Sequence, residues 1–285
     1  ASHNVQTVNS EGNFLDQCKN CADCYFLEQS ENARHTFRGF GYKETIDCLG
    51  SGFIERSAFS DVDLHMYDTV ATSHSSNCRY SAYLDYCEEC EYCFGCVGLR
   101  KKKFCILNKQ YTESEYRKLV EKIKDDMKKR EEWGRFWPIS MAYSGYNLSL
   151  AQIYFPLTRE AVESLGGFWD EAETVKHAGI SGDDLPDDIN EVSEKISEQR
   201  IICSKTGMSF NIAPRELAFY REHSIPLPRY HFDYRTLERF RPLALAIHPN
   251  RSVCIFCGKE VEHYYSPELG YKKIACVPCY QREIA

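Results

Sequence analysis

The feature that most restricts what this chain can fold into is a spaced cysteine string that occurs twice. Leu15-Asp16-Gln17-Cys18-Lys19-Asn20-Cys21-Ala22-Asp23-Cys24-Tyr25 is answered by Leu84-Asp85-Tyr86-Cys87-Glu88-Glu89-Cys90-Glu91-Tyr92-Cys93-Phe94, 69 residues later. Between them, Asp47-Cys48 and Asn77-Cys78 repeat the shorter element of Asp or Asn before Cys. Gly, Asn, Asp and Ser recur every few positions up to residue 108, and apolar residues come in twos and threes, which predicts short strands joined by turns. Repeats this small cannot bury an apolar face alone but can by stacking, so a β-solenoid with its cysteines turned inward as small buried side chains is expected. Dividing the offset into three coils gives about 23 residues per coil.

A helix should follow. Thr112-Glu113-Ser114-Glu115 is a capping box, and Tyr116, Leu119, Val120, Ile123 and Met127 fall on one face of a helix that ends near Gly134 and covers the last coil. Further on, Phe136 to Ile139 reads as extended, the chain turns at Gly145, and Thr158 caps a short helix stopped by Gly166-Gly167. From Trp169 to Glu198 ten carboxylates face only Lys176 and Lys195, and Ser181-Gly182-Asp183-Asp184 with Pro186 breaks regular structure, so a flexible acidic linker is expected.

The chain contains 15 cysteines, an odd number that forbids complete pairing within one chain. Their C-x2-C spacing suits metal binding in a reducing compartment, which points to the cytoplasm. No run of apolar residues is long enough for a membrane span, and no signal peptide is visible. The start at Ala1 rather than Met leads us to expect a piece of a longer protein.

The motif with the sharpest chemistry lies near the C terminus. Cys254-Ile255-Phe256-Cys257-Gly258 and Cys276-Val277-Pro278-Cys279 form two knuckles that would place four thiolates tetrahedrally around one zinc ion. Four protein ligands leave no open position, so the ion would be structural. Val261 to Tyr265 and Tyr271 to Ala275 are expected to form a hairpin between the knuckles, and a helix should begin at Tyr280, giving a treble-clef or ribbon. A second module before it looks decayed. Cys203-Ser204-Lys205-Thr206-Gly207 has the outline of a knuckle and His231-Phe232-Asp233-Tyr234 that of its partner, but only Cys203 and His231 could bind metal.

The run Cys87, Cys90, Cys93, Cys96 invites comparison with an iron–sulfur motif, although its last spacing and the following Val97 depart from the ferredoxin pattern. A second zinc site using Cys18, Cys21 or Cys24, and inert thiols buried in the solenoid, are the other readings of the front cysteines. Arg100-Lys101-Lys102-Lys103 could meet phosphate or form a solvated turn. His35, His65, His74 and His177 stand singly, and no catalytic residue is selected.

The strings Cys93 to Arg100 and Phe104 to Thr112, the helix start at Phe155-Pro156-Leu157-Thr158, the Glu216 to Tyr220 helix and the terminal knuckles resemble an uncharacterised group of cysteine-repeat, zinc-finger-bearing proteins of candidate-phyla bacteria. In that group the module around Cys203 can carry four cysteines, so the resemblance implies that Thr206 and Tyr234 are losses. It also implies a longer front end. It carries architecture and zinc ligands, and no activity.

The expected architecture is mostly β with α additions. A cysteine-rich β-solenoid (1–111) is followed by a capping helix with a small α+β unit (112–168), an acidic linker (169–199), a degenerate zinc-finger-like module (200–248) and a zinc-binding treble-clef or ribbon module (249–285). The functional reading is a non-enzymatic zinc-binding scaffold with a macromolecular partner and no membrane association. The alternatives are nucleic-acid binding through the Arg-rich tail, where thirteen Lys/Arg face eight Asp/Glu after Glu198, and redox or iron–sulfur chemistry at Cys87 to Cys96.

Overall fold

The computed structural model describes residues 2–171 and 178–283. From Gly12–Asp16 to Lys103–Ile106 the strands form one ladder in which residue i pairs in parallel with residue i+12: Gly12 with Cys24, Tyr25 with Phe37, Phe37 with Leu49, Tyr67 with Arg79 and Glu91 with Lys103. A coil is therefore twelve residues long, about half the length expected from the 69-residue echo, and the solenoid is correspondingly slim.

The local cause is a triplet. Every third residue, among them Asn20, Asp23, Phe26, Gln29 and Asn32, has a left-handed φ near 50°, and the residue after it is buried in most triplets, Leu99 and Lys102 of the last coil being exceptions. Asn and Asp tolerate this region best, which accounts for their place before Cys21, Cys24, Cys48 and Cys78. One inward position in three within a twelve-residue coil gives four inward side chains per turn. The bore holds one bulky residue with three small ones: Leu27 with Ser30, Ala33 and Thr36; Ile54 with Ser51, Ser57 and Ser60; Met66 with Asp63, Thr69 and Thr72; Leu84 with Ser75, Cys78 and Ser81. The turn formed by Cys87, Cys90, Cys93 and Cys96 carries four thiols.

The inward residues are chosen for hydrogen bonding as well as size, as the triplet Glu88-Glu89-Cys90 illustrates. The N–H of Glu88 donates forward to the Leu99 carbonyl (2.8 Å) and that of Glu89 back to the Ser76 carbonyl (2.9 Å). The N–H of Cys90 points into the bore, where the Cys78 sulfur accepts it at 3.4 Å. Serine does the same work: the Ser51, Ser57, Ser75 and Ser81 hydroxyls accept from the N–H groups of Asp63, Thr69, Cys87 and Cys93. Buried N–H groups need a partner, so the bore is lined by hydroxyls and thiols that are simultaneously small filler.

At its far end the ladder closes with Lys109–Gln110, antiparallel to Lys103–Ile106. Helix α1 (Glu113–Lys129) then starts on the capping box, with both Thr112–Glu115 bonds formed. Tyr116 meets Phe104 on the last coil, and Tyr116 and Val120 lie buried against Ile106, Phe94 and Ala82, an outward column with one member per coil. Leu119, expected on that face, is exposed. The helix ends at Lys129, and the chain turns through Trp133, whose ring packs near Tyr83 and Phe94.

The chain divides into two compact units, Ala1–Met141 with Ala246–Ala285, and Ala142–Leu245. The second unit contains α2 (Leu150–Tyr154), α3 (Arg159–Ser164, capped by Thr158), α4 (Pro214–Glu222) and α5 (Phe232–Leu245). Part of the acidic stretch expected to be a flexible linker is folded here. Leu185, Ile189, Val192 and Ile196 enter one core with Ile201, Ile212, Leu217 and Leu227, while the carboxylates stay outside and Arg229 holds Asp187 at 2.7 Å. The first part of that stretch, including Lys176 and His177, lies outside the described residues.

Candidate metal centre

Around the first C-terminal knuckle the strands Asn250–Val253 and Glu260–His263 pair antiparallel, Val253 opposite Glu260. The turn between them is tied by Cys254 N–H to the Lys259 carbonyl (2.8 Å) and Gly258 N–H to the Cys254 carbonyl (2.9 Å), with Gly258 at φ 73°, a conformation that favours glycine. The hairpin thus encloses the first knuckle. The segment from Tyr271 to Ala275, expected as its second strand, forms none; it is joined to the first knuckle by Ile255 N–H donating to the Ile274 carbonyl at 2.9 Å. Cys276 and Cys279 sit at the start of α6 (Val277–Glu283), which gives the treble-clef arrangement of hairpin followed by helix.

This geometry gathers Cys254, Cys257, Cys276 and Cys279. Their sulfur atoms all lie within 4.8 Å of one another, and Cys257 Sγ and Cys276 Sγ are 3.7 Å apart. Four sulfurs at the usual 2.3 Å from a tetrahedral zinc would be about 3.8 Å apart, so the donor set and its spacing fit such an ion. The backbone N–H groups of Cys276, Cys257 and Phe256 hold the Cys254 thiol down to about 6, whereas the thiol of Cys276, with burial next, pushes Cys279 up to about 12. Four thiolates this close require a cation between them to ionise together.

The second unit repeats the frame without the ligands. Ile201–Ile202 pairs antiparallel with Ser209–Phe210, Cys203 N–H meets the Met208 carbonyl at 2.9 Å, and Gly207 N–H meets the Cys203 carbonyl at 2.8 Å. Arg235 N–H to the His231 carbonyl matches Tyr280 N–H to the Cys276 carbonyl. Burial acts to raise the pKa of Cys203, but hydrogen bonds from the Thr206 hydroxyl and from the His231, Lys205 and Thr206 N–H groups surround its sulfur and together bring it below the ordinary thiol value. Among the described residues the C-terminal quartet is the one group placed to hold a metal.

The front cysteines have another occupation. All fifteen cysteines are free thiols, and the ten in the solenoid are buried. Each has a carbonyl of its own triplet within reach of its single S–H, and most have a second one nine residues on: the Asp85 and Cys96 carbonyls at Cys87 Sγ, those of Phe94 and Cys105 at Cys96 Sγ. Burial pushes Cys48 and Cys78 up to about 12 and Cys87 up to about 11. These three thiols are held protonated as structural rungs, whereas the neighbouring thiols of Cys18 and Cys93 hold Cys21 and Cys96 below the ordinary thiol value. The basic turn is matched in the same register, since Arg100, Lys101 and Lys103 pair with Glu88, Glu89 and Glu91 one coil earlier. His35 pairs with Asp23, His65 stacks on Phe53, and His74 bonds Ser73.

Sequence reasoning missed the residues that seat the metal module. Tyr264 and Tyr265, which follow the hairpin, lie against Tyr25 and His3, and buried Asn13 donates through Nδ2 to the Ala246 carbonyl at 2.9 Å. No family model matches the chain, and no curated protein or solved structure matches it either. Among the described residues no helix is long and apolar enough to cross a membrane.

Proposed function

We propose that this chain is a non-enzymatic scaffold in which a structural zinc ion, held by Cys254, Cys257, Cys276 and Cys279, fixes the C-terminal module, and in which the solenoid offers its outer face to a macromolecular partner. The observation that supports the zinc reading is the set of four sulfur atoms within 4.8 Å of one another, which would fill a tetrahedron from protein alone and leave no position for a substrate or an activated water. The partner reading draws on Phe40, Leu49, Phe53, Val62 and Leu64, large apolar residues left exposed on the middle coils. A polyanion partner at the tail has less support, because Arg251 and Arg282 already face Glu262 and Glu283. We extend the same reading to kinship with the cysteine-repeat, zinc-finger-bearing group of candidate-phyla bacteria.

Metal analysis by mass spectrometry on protein purified without oxygen tests the proposal. One zinc per chain, lost in Cys276→Ser, is the expected result. Iron in place of zinc, or zinc retained in that variant, rejects it.

A further inference from the structure

The metal module is fastened to the solenoid. Tyr264 Oη lies 3.4 Å from Tyr25 Oη with the rings edge-on at 5.8 Å, and the Tyr265 ring is 4.7 Å from His3. His3 in turn stacks on Phe14 at 4.5 Å, and Phe14 on Phe26 at 4.9 Å, so the contact continues along an aromatic column of the first coils. Asn13 completes the seat. It is fully buried, its Nδ2 donates to the Ala246 carbonyl where the chain enters the module, and its Oδ1 accepts from the His3 N–H at 2.7 Å.

The two ends of the solenoid are unequally secured. Lys103–Ile106 has a closing antiparallel strand and α1 against it. Gly12–Asp16 pairs along its length only with Cys24–Glu28; on its other side no strand covers it, and it meets one bridge, Val5 to Asp16, the Asn4 side chain, which donates to the Gly12 carbonyl and accepts from the Leu15 N–H, and the His3 N–H on Asn13. An end strand with few partners opens first, so the front coils depend on what is packed against them.

What is packed against them depends on the metal. Tyr264 and Tyr265 are presented by the strand Glu260–His263, whose pairing is set by the knuckle at Cys254 and Cys257, and Tyr265 is braced from within the module by Tyr271 at 5.2 Å. A hairpin and a two-turn helix cannot bury enough surface to hold this shape alone, and in such modules the metal-binding free energy is folding free energy. We infer that the C-terminal module is a metal-dependent clasp on the first coils, so that metal occupancy near residue 270 governs backbone order near residue 20. The inference rests on the metal reading proposed above and adds a coupling between two places far apart in sequence.

Hydrogen exchange read by mass spectrometry on the full chain tests it, comparing residues 13–28 with 79–106. Chelation of the metal should speed exchange over 13–28 about tenfold and leave 79–106 unchanged. The double variant Tyr264→Ala/Tyr265→Ala should keep its metal and show the same acceleration. Unchanged exchange over 13–28 after the metal has left, or in a double variant that still contains it, overturns the clasp while leaving the metal site intact. A protein that contains no metal as purified defeats the metal reading and removes metal control with it.

Discussion

Gly39 and Tyr42 share one turn of the bore, and the missing side chain of one makes room for the other. A Cβ built on Gly39 would lie 2.3 Å from Tyr42 Cε2 and 2.3 Å from the Ser51 carbonyl oxygen. The space is used by the Tyr42 hydroxyl, which accepts the Ser51 N–H at 2.8 Å. Gly39→Ala should therefore cost ~3 kcal/mol, the upper end for overpacking a core, read as a shift in the urea midpoint. Adding Tyr42→Leu should recover only part of the loss, because the Ser51 carbonyl still obstructs the methyl group.

Asp63 is a carboxylate turned into the bore, with its oxygens accepting from Ser60 Oγ, Thr72 Oγ1 and Ser75 N–H. Burial outweighs those bonds and raises its pKa from 3.8 to about 6. The folded chain thus binds a proton that the unfolded chain releases, and this contribution to stability is full below about pH 4 and is lost as pH rises through about 6. Asp63→Asn, whose amide can serve the same hydroxyls, should flatten the melting temperature between pH 4 and pH 7. A wild-type slope retained in the variant would refute the assignment.

Cys78 tests whether the bore cysteines are rungs. Its sulfur accepts the Cys90 N–H and donates to the Ser76 carbonyl. Cys78→Ala leaves that N–H buried without a partner and should cost about 1–3 kcal/mol in denaturant unfolding, more than Cys78→Ser, which keeps both bonds. Equal losses in the two variants would mean that volume alone matters.

Val62 occupies a left-handed corner at φ 55°, where a β-branched side chain is strained, and it is exposed. Val62→Asn should raise stability by ~1 kcal/mol without disturbing the bore. Calorimetric melting of the variant is the check, and a lower melting temperature would contradict the corner assignment.

What was legible in the sequence follows from how strongly each signal is tied to local chemistry. The capping box at Thr112 and the four terminal cysteines are short-range patterns with one physical solution each, and both appear where expected. The solenoid was visible through its cysteines, but its pitch was hidden. In the middle coils one inward column consists of Thr45, Ser57, Thr69 and Ser81, and hydrophobic periodicity does not register hydroxyls as core. Leu185, Ile189, Val192 and Ile196 were masked in the same manner by the surrounding carboxylates. The seat of Tyr264 on Tyr25 joins residues 239 apart and leaves no local trace.

The twelve-residue turn also limits how such a chain can change its length. One extra residue between Gly12 and Ile106 would put the triplets on its two sides out of phase, so that inward side chains of one coil would face outward positions of the next. Three extra residues would restore the facing but break the pairing of residues twelve apart across the insertion; placed at Tyr92, they would part Lys103 from Glu91 and the Cys93 N–H from Ser81. Only a whole turn preserves both, so the solenoid grows or shrinks in steps of twelve, like a screw that accepts no partial thread.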